Sequence, residues 1–208
     1  QTLEAARRIA NRLDHAAAKA QVYGHLGLLY QQAKRYDEAL SLIRQAVFFA
    51  QQTRQLPLLY FWQWHTGRIQ AARGDKNGAI TAYQQAVASL KTIRAQVATT
   101  GYINLTQSFR EKIAPVYFEL ADLLLQQASA TQVPARRDQL LRQARKAIES
   151  FKEAELQDYF QSDCVSLDTQ CTDLEQLIDA QTAVLYPIPL PDRLELLLQR
   201  RDGLVQAT

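Results

Sequence analysis

Apolar and small residues recur at intervals of three and four along the first 160 residues, which is the period of an amphipathic α-helix. Short polar stretches interrupt this pattern and supply turn and capping residues. Asp14 is a candidate N-cap for the first long helix, and Tyr36 begins its partner after a short turn. Gly74 ends a later helix and Asn77 starts the next one. The pattern therefore predicts a stack of antiparallel helix hairpins.

The first half of the chain repeats at a constant spacing of 40 residues. The repeated positions hold small or apolar side chains, and the equivalent pairs are Gly27 and Gly67, Ala39 and Ala79, Leu40 and Ile80, Ile43 and Tyr83, and Ala46 and Ala86. One further step back aligns Leu3 and Ala6 with Ile43 and Ala46. Residues 1–13 are therefore expected to be the second helix of a repeat whose first helix is missing. The absence of Met, even at position 1, agrees with an excised piece of a longer protein.

These repeated positions resemble the tetratricopeptide repeat family. The family pattern of a large residue, Leu-Gly, an aromatic residue and then small and bulky residues is met by Tyr23, Leu26-Gly27, Tyr30, Ala39, Ile43 and Ala46. The second unit departs from it, because Gln63, Thr66 and Gln70 occupy positions where the family has apolar residues. The spacing of 40 exceeds the usual length of about 34 residues, which implies longer helices or an extended connection around Pro57.

A third unit is predicted beyond residue 110. Its small and apolar positions are Tyr117, Leu120, Ala121 and Leu124 in the first helix and Ala144, Ile148 and Phe151 in the second. Gly67 and Ala121 are 54 residues apart, so the helices between Ile93 and Ile113 must be longer than usual or broken near Gly101.

Strand-like residues replace the helical pattern near residue 183. Prolines at positions 187, 189 and 191 exclude a helix and favour extended backbone. Asp202 and Gly203 form a tight-turn signal ahead of Leu204 and Val205. The predicted fold class is all-α, a tetratricopeptide-type superhelix of helix hairpins with a short β-hairpin-like C-terminal segment.

The C-terminal part is similar to the junction that precedes a CHAT domain in bacterial tetratricopeptide proteins. The residues that carry this resemblance are the stretch Ala147–Val165 and the block Leu185–Leu198. The resemblance implies that residues 183–208 are the opening strands of a truncated caspase-like module. Residues 161–182 would then be an acidic linker, and residues 1–160 the repeat domain.

No catalytic residue is assigned in this chain. The catalytic His and Cys of the CHAT family lie downstream of its opening strands, and the sequence has no His after His65 and no Cys after Cys171. His65 and Cys164 stand in the right order, but neither has a caspase-type sequence context. We expect no enzymatic activity from this chain, while the resemblance implies a caspase-like cysteine protease in the full-length protein. Cys164 and Cys171 are too few for a disulfide framework, and the sequence leaves open whether they are bridged.

Charge is distributed unevenly, although the net charge is only +3. Residues 1–100 contain 13 Lys and Arg against 5 Asp and Glu, and residues 101–208 contain 11 against 16. Eight carboxylates lie between Glu153 and Asp179, a stretch without Lys or Arg. Solvated helix faces, two functional zones or an electrostatic contact between the ends would each produce this asymmetry. Basic residues do not cluster with aromatic residues, so nucleic-acid binding is not indicated, and no apolar run is long enough to cross a membrane.

The resemblance to tetratricopeptide repeats also implies a concave binding face made by the first helix of each unit. The candidates for contacting a ligand on this face are Leu28, Gln31, Phe61, Trp64, Arg68, Phe118 and Asp122. The Lys and Asn residues with which chaperone-binding members hold a C-terminal carboxylate do not occur at these positions. An aromatic and aliphatic groove with one arginine is suited to a peptide segment or a helix. The alternative is that Phe61 and Trp64 pack against a neighbouring helix.

The sequence thus predicts a protein-binding module that acts as the sensor or regulatory arm of a CHAT-containing protein. The competing interpretation is a structural module that forms a homodimer through its repeats or its C-terminal strands. His25 and His65 occupy equivalent repeat positions, and duplication of the repeat explains them better than a metal site does. No cofactor is expected. A cytoplasmic location is favoured, but export stays open because the N-terminus is expected to be cut.

Overall fold

The computed structural model describes residues 2–12, 15–100, 109–160, 178–179 and 181–207. These residues form seven helices and three strands: α1 (Thr2–Arg12), α2 (Ala16–Gln32), α3 (Tyr36–Gln52), α4 (Leu56–Ala72), α5 (Lys76–Thr100), α6 (Phe109–Ala130), α7 (Pro134–Phe160), β1 (Val184–Pro189), β2 (Leu194–Arg200) and β3 (Gly203–Ala207). The helices pack as pairs, which confirms the predicted tetratricopeptide-type all-α fold with a small C-terminal sheet.

Contacts divide the chain into two compact units, residues 1–103 and residues 104–208. The C-terminal sheet belongs to the same unit as α6 and α7. The division into a repeat domain, an acidic linker and an opening segment of a second domain stays a prediction. The linker residues 161–177, with Cys164 and Cys171, lie outside the described part of the chain.

In the first unit, each helix packs on its neighbour in sequence, from α1 through α5. The connections after α2, α3 and α4 are three residues long and share one geometry. Each holds one residue with positive φ, namely Lys34 at 57°, Arg54 at 52° and Gly74 at 83°. In each, the next backbone N–H donates to the carbonyl five residues earlier: Arg35 to Tyr30 (2.9 Å), Gln55 to Ala50 (3.1 Å) and Asp75 to Gln70 (2.9 Å). A repeated Schellman-type turn therefore folds the chain back three times.

Two of the predicted caps need correction. The N-cap of α2 is His15, whose Nδ1 accepts a hydrogen bond from the backbone N–H of Ala18 at 3.1 Å, and Asp14 lies outside the described residues. Asn77 does not start α5. The left-handed turn at Gly74 leaves Asp75 at the capping position, where its Oδ1 accepts from the N–H of Gly78 at 2.9 Å. The helix therefore begins at Lys76.

Small residues allow the close helix packing that the repeat predicts. A Cβ placed on Gly24 would lie 2.2 Å from the indole of Trp62, and one on Gly27 would lie 2.6 Å from Ile43. Around these contacts the core of α2, α3 and α4 consists of Ala20, Ala39, Leu40, Ile43, Ala46, Ala50, Leu59, Trp62 and Ile69. Close backbone approach and interdigitating bulky side chains thus hold the stack together.

The second unit contains the predicted third hairpin, made by α6 and α7. Its buried interface includes Tyr117, Leu120, Leu124, Ile148 and Phe151. Pro134 occupies the first position of α7, where its missing N–H needs no partner. The expectation of lengthened helices between the second and third units is confirmed on the side of α5, which runs for 25 residues.

The C-terminal segment is a three-stranded antiparallel sheet in the order β1-β2-β3, one strand more than the predicted hairpin. Pro187 and Pro189 lie within β1, which has β2 as its partner in the sheet and forms an edge. Side chains alternate between two faces. Tyr186, Ile188, Glu195, Leu197 and Gln199 are buried.

The opposite face of the sheet is apolar. It carries Leu185, Pro187, Pro189, Leu194, Leu196, Leu198, Val205 and Ala207. Three of these, Leu185, Leu194 and Val205, are 50–54% exposed. Among the described helices, none has both the length and the apolar character needed to cross a membrane.

Candidate functional site

The structure brings three of the predicted ligand contacts together on α4. The guanidinium carbon of Arg68 lies 4.0 Å from the ring centroid of Trp64, a cation–π geometry. The rings of Phe61 and Trp64 meet edge to face with their centroids 6.1 Å apart. Trp64 is only 8% exposed, so most of its ring contributes to packing. Arg68 is half-buried and presents the charge of this group.

Helix α2 adds two further candidates. Leu28 packs against the same hydrophobic cluster as Phe61, around the buried indole of Trp62. Gln31, one turn further along α2, is half-buried. The close approach of Trp62 to Gly24 explains why the two helices can share one cluster. Leu28, Phe61 and Arg68 thus belong to one helical unit, and the assignment of these residues as ligand contacts stays a prediction.

The remaining two candidates lie on α6 in the second unit. Phe118 packs edge to face on Phe151, with 5.2 Å between ring centroids. Asp122 forms an ion pair with Arg193, which lies just before β2, and accepts a hydrogen bond from Gln126 at 3.0 Å. These contacts give both side chains a structural role, because they join α6 to α7 and to the sheet.

The two equivalent histidines are packed among aromatic rings. His25 meets Trp62 edge to face at 5.4 Å between centroids, and His65 lies 4.6 Å from the centroid of Phe61. Within the described residues, no group of three or more His, Cys, Asp or Glu side chains is arranged to hold a metal ion.

A cleft of about 320 Å³ lies between α3, α4 and α5, and sequence reasoning did not interpret it. Its lining includes Gln63, Thr66 and Gln70, the three polar residues at positions where the resembled family is apolar. Arg44 from α3 and Gln85 from α5 contribute further polar groups. The signal for this site was therefore in the sequence, as a polar stripe along one helix.

The buried amides in this cleft have different hydrogen-bond partners. The Oε1 of Gln63 accepts from the hydroxyl of Ser89 at 2.7 Å, which fixes this side chain between α4 and α5. The Oε1 of Gln70 is buried and has no hydrogen-bond partner among the described residues. The hydroxyl of Thr66 donates to the backbone carbonyl of Trp62 at 2.8 Å, so its oxygen can still accept.

A second polar network joins the sheet to the helices of the second unit. Arg193 donates to Glu195 through Nε at 2.7 Å and also pairs with Asp122. Glu195 is 3% exposed and accepts a further bond from Gln206 at 2.9 Å. The hydrogen bond to Glu195 and, secondarily, the contacts with Asp122 hold the pKa of Arg193 above its ordinary value.

Tyr186 anchors the same face of the sheet on α7. Its hydroxyl donates to Glu149 at 2.7 Å, while Arg145 donates to Gln199 at 2.6 Å. Burial, and secondarily the hydrogen bond to Glu149, raise the pKa of the Tyr186 hydroxyl well above its ordinary value. The network is not visible in the sequence, because its members lie 37 to 77 positions apart.

Comparison with known families identifies a tetratricopeptide repeat at residues 20–47, which covers most of α2 and the first part of α3. A search of curated proteins gives no match. The repeat is a non-catalytic interaction motif, so the match supports a role in protein–protein interaction in general. It is also consistent with the expectation that this chain is not an enzyme.

Proposed function

We propose that the first unit binds a peptide or protein segment on the face formed by Leu28 and Gln31 of α2 and by Phe61, Trp64 and Arg68 of α4. The observation that supports this function is the guanidinium of Arg68 held over the ring of Trp64, beside the partly buried Phe61. An aromatic surface with one fixed cation suits an apolar segment that carries a carboxylate. Such a ligand would add an ion pair to apolar contacts.

Selection of peptides from a displayed random library tests this function. We expect the selected peptides to combine apolar residues with Asp or Glu, and to bind Arg68→Ala about ten-fold more weakly, as expected for loss of a hydrogen bond to a charged group. Lys91→Ala, an exposed cation on α5, is the matched control and should bind like wild type. Selected peptides that bind wild type, Arg68→Ala and Trp64→Ala equally would rule this face out, provided that circular dichroism shows all three chains folded.

The same proposal extends to regulation of a CHAT protease-like module in a longer protein. Its support is the resemblance of residues 147–165 and 185–198 to the junction of such proteins, together with strands at 184–207. The test is a peptide-cleavage assay on a protein that joins this chain to a CHAT module. Ligand binding should change the cleavage rate in wild type and not in Arg68→Ala. An unchanged rate on saturation with a ligand that binds would separate binding from regulation.

A second candidate function is self-association through the C-terminal sheet. The supporting observation is its continuous apolar face, which has Leu185, Leu194 and Val205 half-exposed. Monomeric proteins rarely expose contiguous apolar patches of more than a few hundred Å². The edge of β1 is a poorer contact, because Pro187 and Pro189 lack the N–H groups that strand pairing needs. A second copy packing the same face around a two-fold axis is the occupant proposed.

Light scattering over a range of chain concentrations tests this second candidate. We expect a concentration-dependent rise in mass for wild type and none for Val205→Lys, which places a charge in the centre of the face. Val133→Lys is the matched control, because Val133 is equally exposed at 59% but lies in the connection between α6 and α7. A wild-type chain that stays monomeric at high concentration would exclude self-association.

A further inference from the structure

The polar stripe on α4 interrupts a pattern that is otherwise apolar. Gln63, Thr66 and Gln70 are spaced by three and four residues, so they lie on one side of the helix. Gln63 and Gln70 are two turns apart, about 10 Å along the helix axis. Both are buried, and all three line the cleft between α3, α4 and α5. Apolar residues at these positions would close the helix packing, whereas the glutamines leave a polar floor.

We propose that this cleft is a second binding site, separate from the face of Leu28, Phe61 and Arg68, and that its ligand is a short extended peptide bearing a carboxylate. Its volume of about 320 Å³ lies within the range of small-ligand pockets. An extended segment of three residues spans about 10 Å, which matches the distance between the two buried glutamines. The donors and acceptors of the cleft decide which way such a segment lies.

Gln70 supplies the acceptor end of the cleft. Its Oε1 is buried and has no hydrogen-bond partner among the residues that the structure describes. A buried carbonyl without a donor destabilises the folded state, and a ligand N–H would remove this penalty. The exposed carboxylate of Asp75 lies at the same end, since both Asp75 and Gln70 approach Gly78. The amino-terminal side of a peptide therefore fits here.

Gln63 and Arg44 supply the donor end. Ser89 holds the Oε1 of Gln63 at 2.7 Å, so its Nε2 hydrogens remain as its donors. The ion pair between Arg73 and Asp37, at 2.7 Å, fixes the alignment of α3 with α4. Counting two turns from that pair along each antiparallel helix places Arg44 at the level of Thr66 and Gln63.

Arg44 is the charged residue among those that line the cleft, and it is exposed at the rim. Its guanidinium, together with the amide of Gln63, can receive a carboxylate. A peptide carboxylate thus belongs near Arg44, and the peptide N–H groups belong toward Gln70.

Gly78 keeps the acceptor end open. A Cβ at this position would lie 2.5 Å from Nε2 of Gln70 and 2.3 Å from Oδ2 of Asp75. Any larger residue would displace the Gln70 amide and shorten the cleft. Gly78→Ala is therefore a way to block the site while leaving all of its polar side chains in the chain.

The experiment is a titration of the ¹⁵N-labelled chain with acetyl-triglycine, followed by the side-chain amide signals of glutamine in NMR spectra. We expect saturable shifts of the Gln63 and Gln70 signals, with a dissociation constant of about 1–10 mM, as suits a few hydrogen bonds and one ion pair. Acetyl-triglycine amide, which lacks the carboxylate, should bind at least about five-fold more weakly. Amidated acetyl-Gly-Glu-Gly distinguishes a side-chain carboxylate from a C-terminal one.

Three variants complete the test. Gln70→Leu and Gly78→Ala should each weaken binding at least about five-fold, while Gln45→Leu, an exposed glutamine on α3, should bind like wild type. Gln70→Leu should also raise the melting temperature, because it removes a buried carbonyl that has no donor. The proposal is overturned if the acid and the amide bind equally, if Gln70→Leu binds as tightly as wild type, or if the peptide shifts only the indole N–H of Trp64.

Discussion

Three equivalent turns in the first unit show how the same backbone geometry is filled by different residues. Lys34, Arg54 and Gly74 all have positive φ, and the same hydrogen bond closes each turn. For an L-residue this conformation costs about 1–2 kcal/mol, whereas glycine adopts it freely. Glycine loses more backbone entropy on folding, which returns about 0.5–1 kcal/mol of that advantage. The net preference for glycine is therefore modest and depends on φ.

We predict that Lys34→Gly stabilises the chain by about 0.5–1 kcal/mol and that Arg54→Gly does the same. Gly74→Ala should destabilise it by a similar amount, because alanine meets the full penalty of positive φ. The measurement is the free energy of unfolding in urea, followed by circular dichroism.

The control for these turns is Ala33→Gly, at the neighbouring residue with φ of −75°. Glycine brings no relief there, so this variant should be destabilised. If Lys34→Gly and Ala33→Gly changed the free energy of unfolding equally, relief of left-handed strain would not be the cause.

Tyr186 makes stability depend on pH at the alkaline end. Its pKa is raised in the folded state, so above about pH 10, where tyrosine ordinarily ionises, the unfolded chain releases a proton that the folded chain retains. The stabilisation is thus complete below pH 10 and is lost as the pH rises. We predict that Tyr186→Phe costs about 1–2 kcal/mol at pH 8, through loss of the bond to Glu149, and that this difference shrinks by pH 11.

The measurement is the difference in unfolding free energy between wild type and Tyr186→Phe at the two pH values. Other tyrosines, including Tyr60, whose pKa burial also raises, cancel in this difference. A difference that stays constant from pH 8 to pH 11 would contradict a role for Tyr186 ionisation.

The C-terminal sheet depends on polar contacts with the helices of its own unit. Arg193 joins the start of β2 to Asp122 on α6 and to the buried Glu195. Removal of one partner from a buried ion pair leaves a charge without compensation, which destabilises proteins by about 3–5 kcal/mol. Gln206 would still donate to Glu195, so the loss should fall at or below the lower end of this range.

We predict that Arg193→Ala lowers the unfolding free energy by about 2–3 kcal/mol and that adding Glu195→Gln recovers part of the loss, because the buried charge is then removed. The matched control is Arg200→Ala. Arg200 pairs with Asp202 at 2.9 Å in the same sheet, but both side chains are more than half exposed, so the loss should be within about 0.5 kcal/mol. Equal losses for Arg193→Ala and Arg200→Ala would show that burial of Glu195 does not matter.

The sequence predicts the elements better than it predicts their contacts. The repeat spacing identifies the helix pairs, because Gly27 and Gly67 mark positions where backbones must approach closely. Pro187 and Gly203 identify strand and turn in the same local way. Contacts between distant residues have no local signal, and the pair of Asp122 with Arg193 spans 71 positions.

The same limit applies to the candidate site. Periodicity places Phe61, Trp64 and Arg68 on one helix, and the structure brings their side chains into contact. Periodicity cannot tell how deeply Trp64 is buried, since this depends on what the rest of the fold packs around it. The polar cleft was signalled only by Gln63, Thr66 and Gln70 departing from a family pattern, and its third wall, from α3, is set by tertiary packing.

At the scale of the whole molecule, two surface properties favour different kinds of association. Residues 1–100 carry a net charge of +8 and residues 101–208 a net charge of −5, so opposite ends of two copies attract at low salt. The outer face of the sheet has no charged residue and would pack by burial of apolar surface. Salt acts in opposite directions on these two mechanisms, because it screens charges and strengthens apolar burial.

We predict that self-association of the chain persists when the salt concentration is raised from about 0.1 M to about 1 M, although the Debye length then falls from about 10 Å to about 3 Å. The apolar face of Leu185, Leu196 and Val205 would be the cause, so Val205→Lys should abolish association at both concentrations. Light scattering of both chains at the two salt concentrations measures this. Association that disappears at 1 M salt and survives Val205→Lys would instead assign the contact to the opposite charges of the two units.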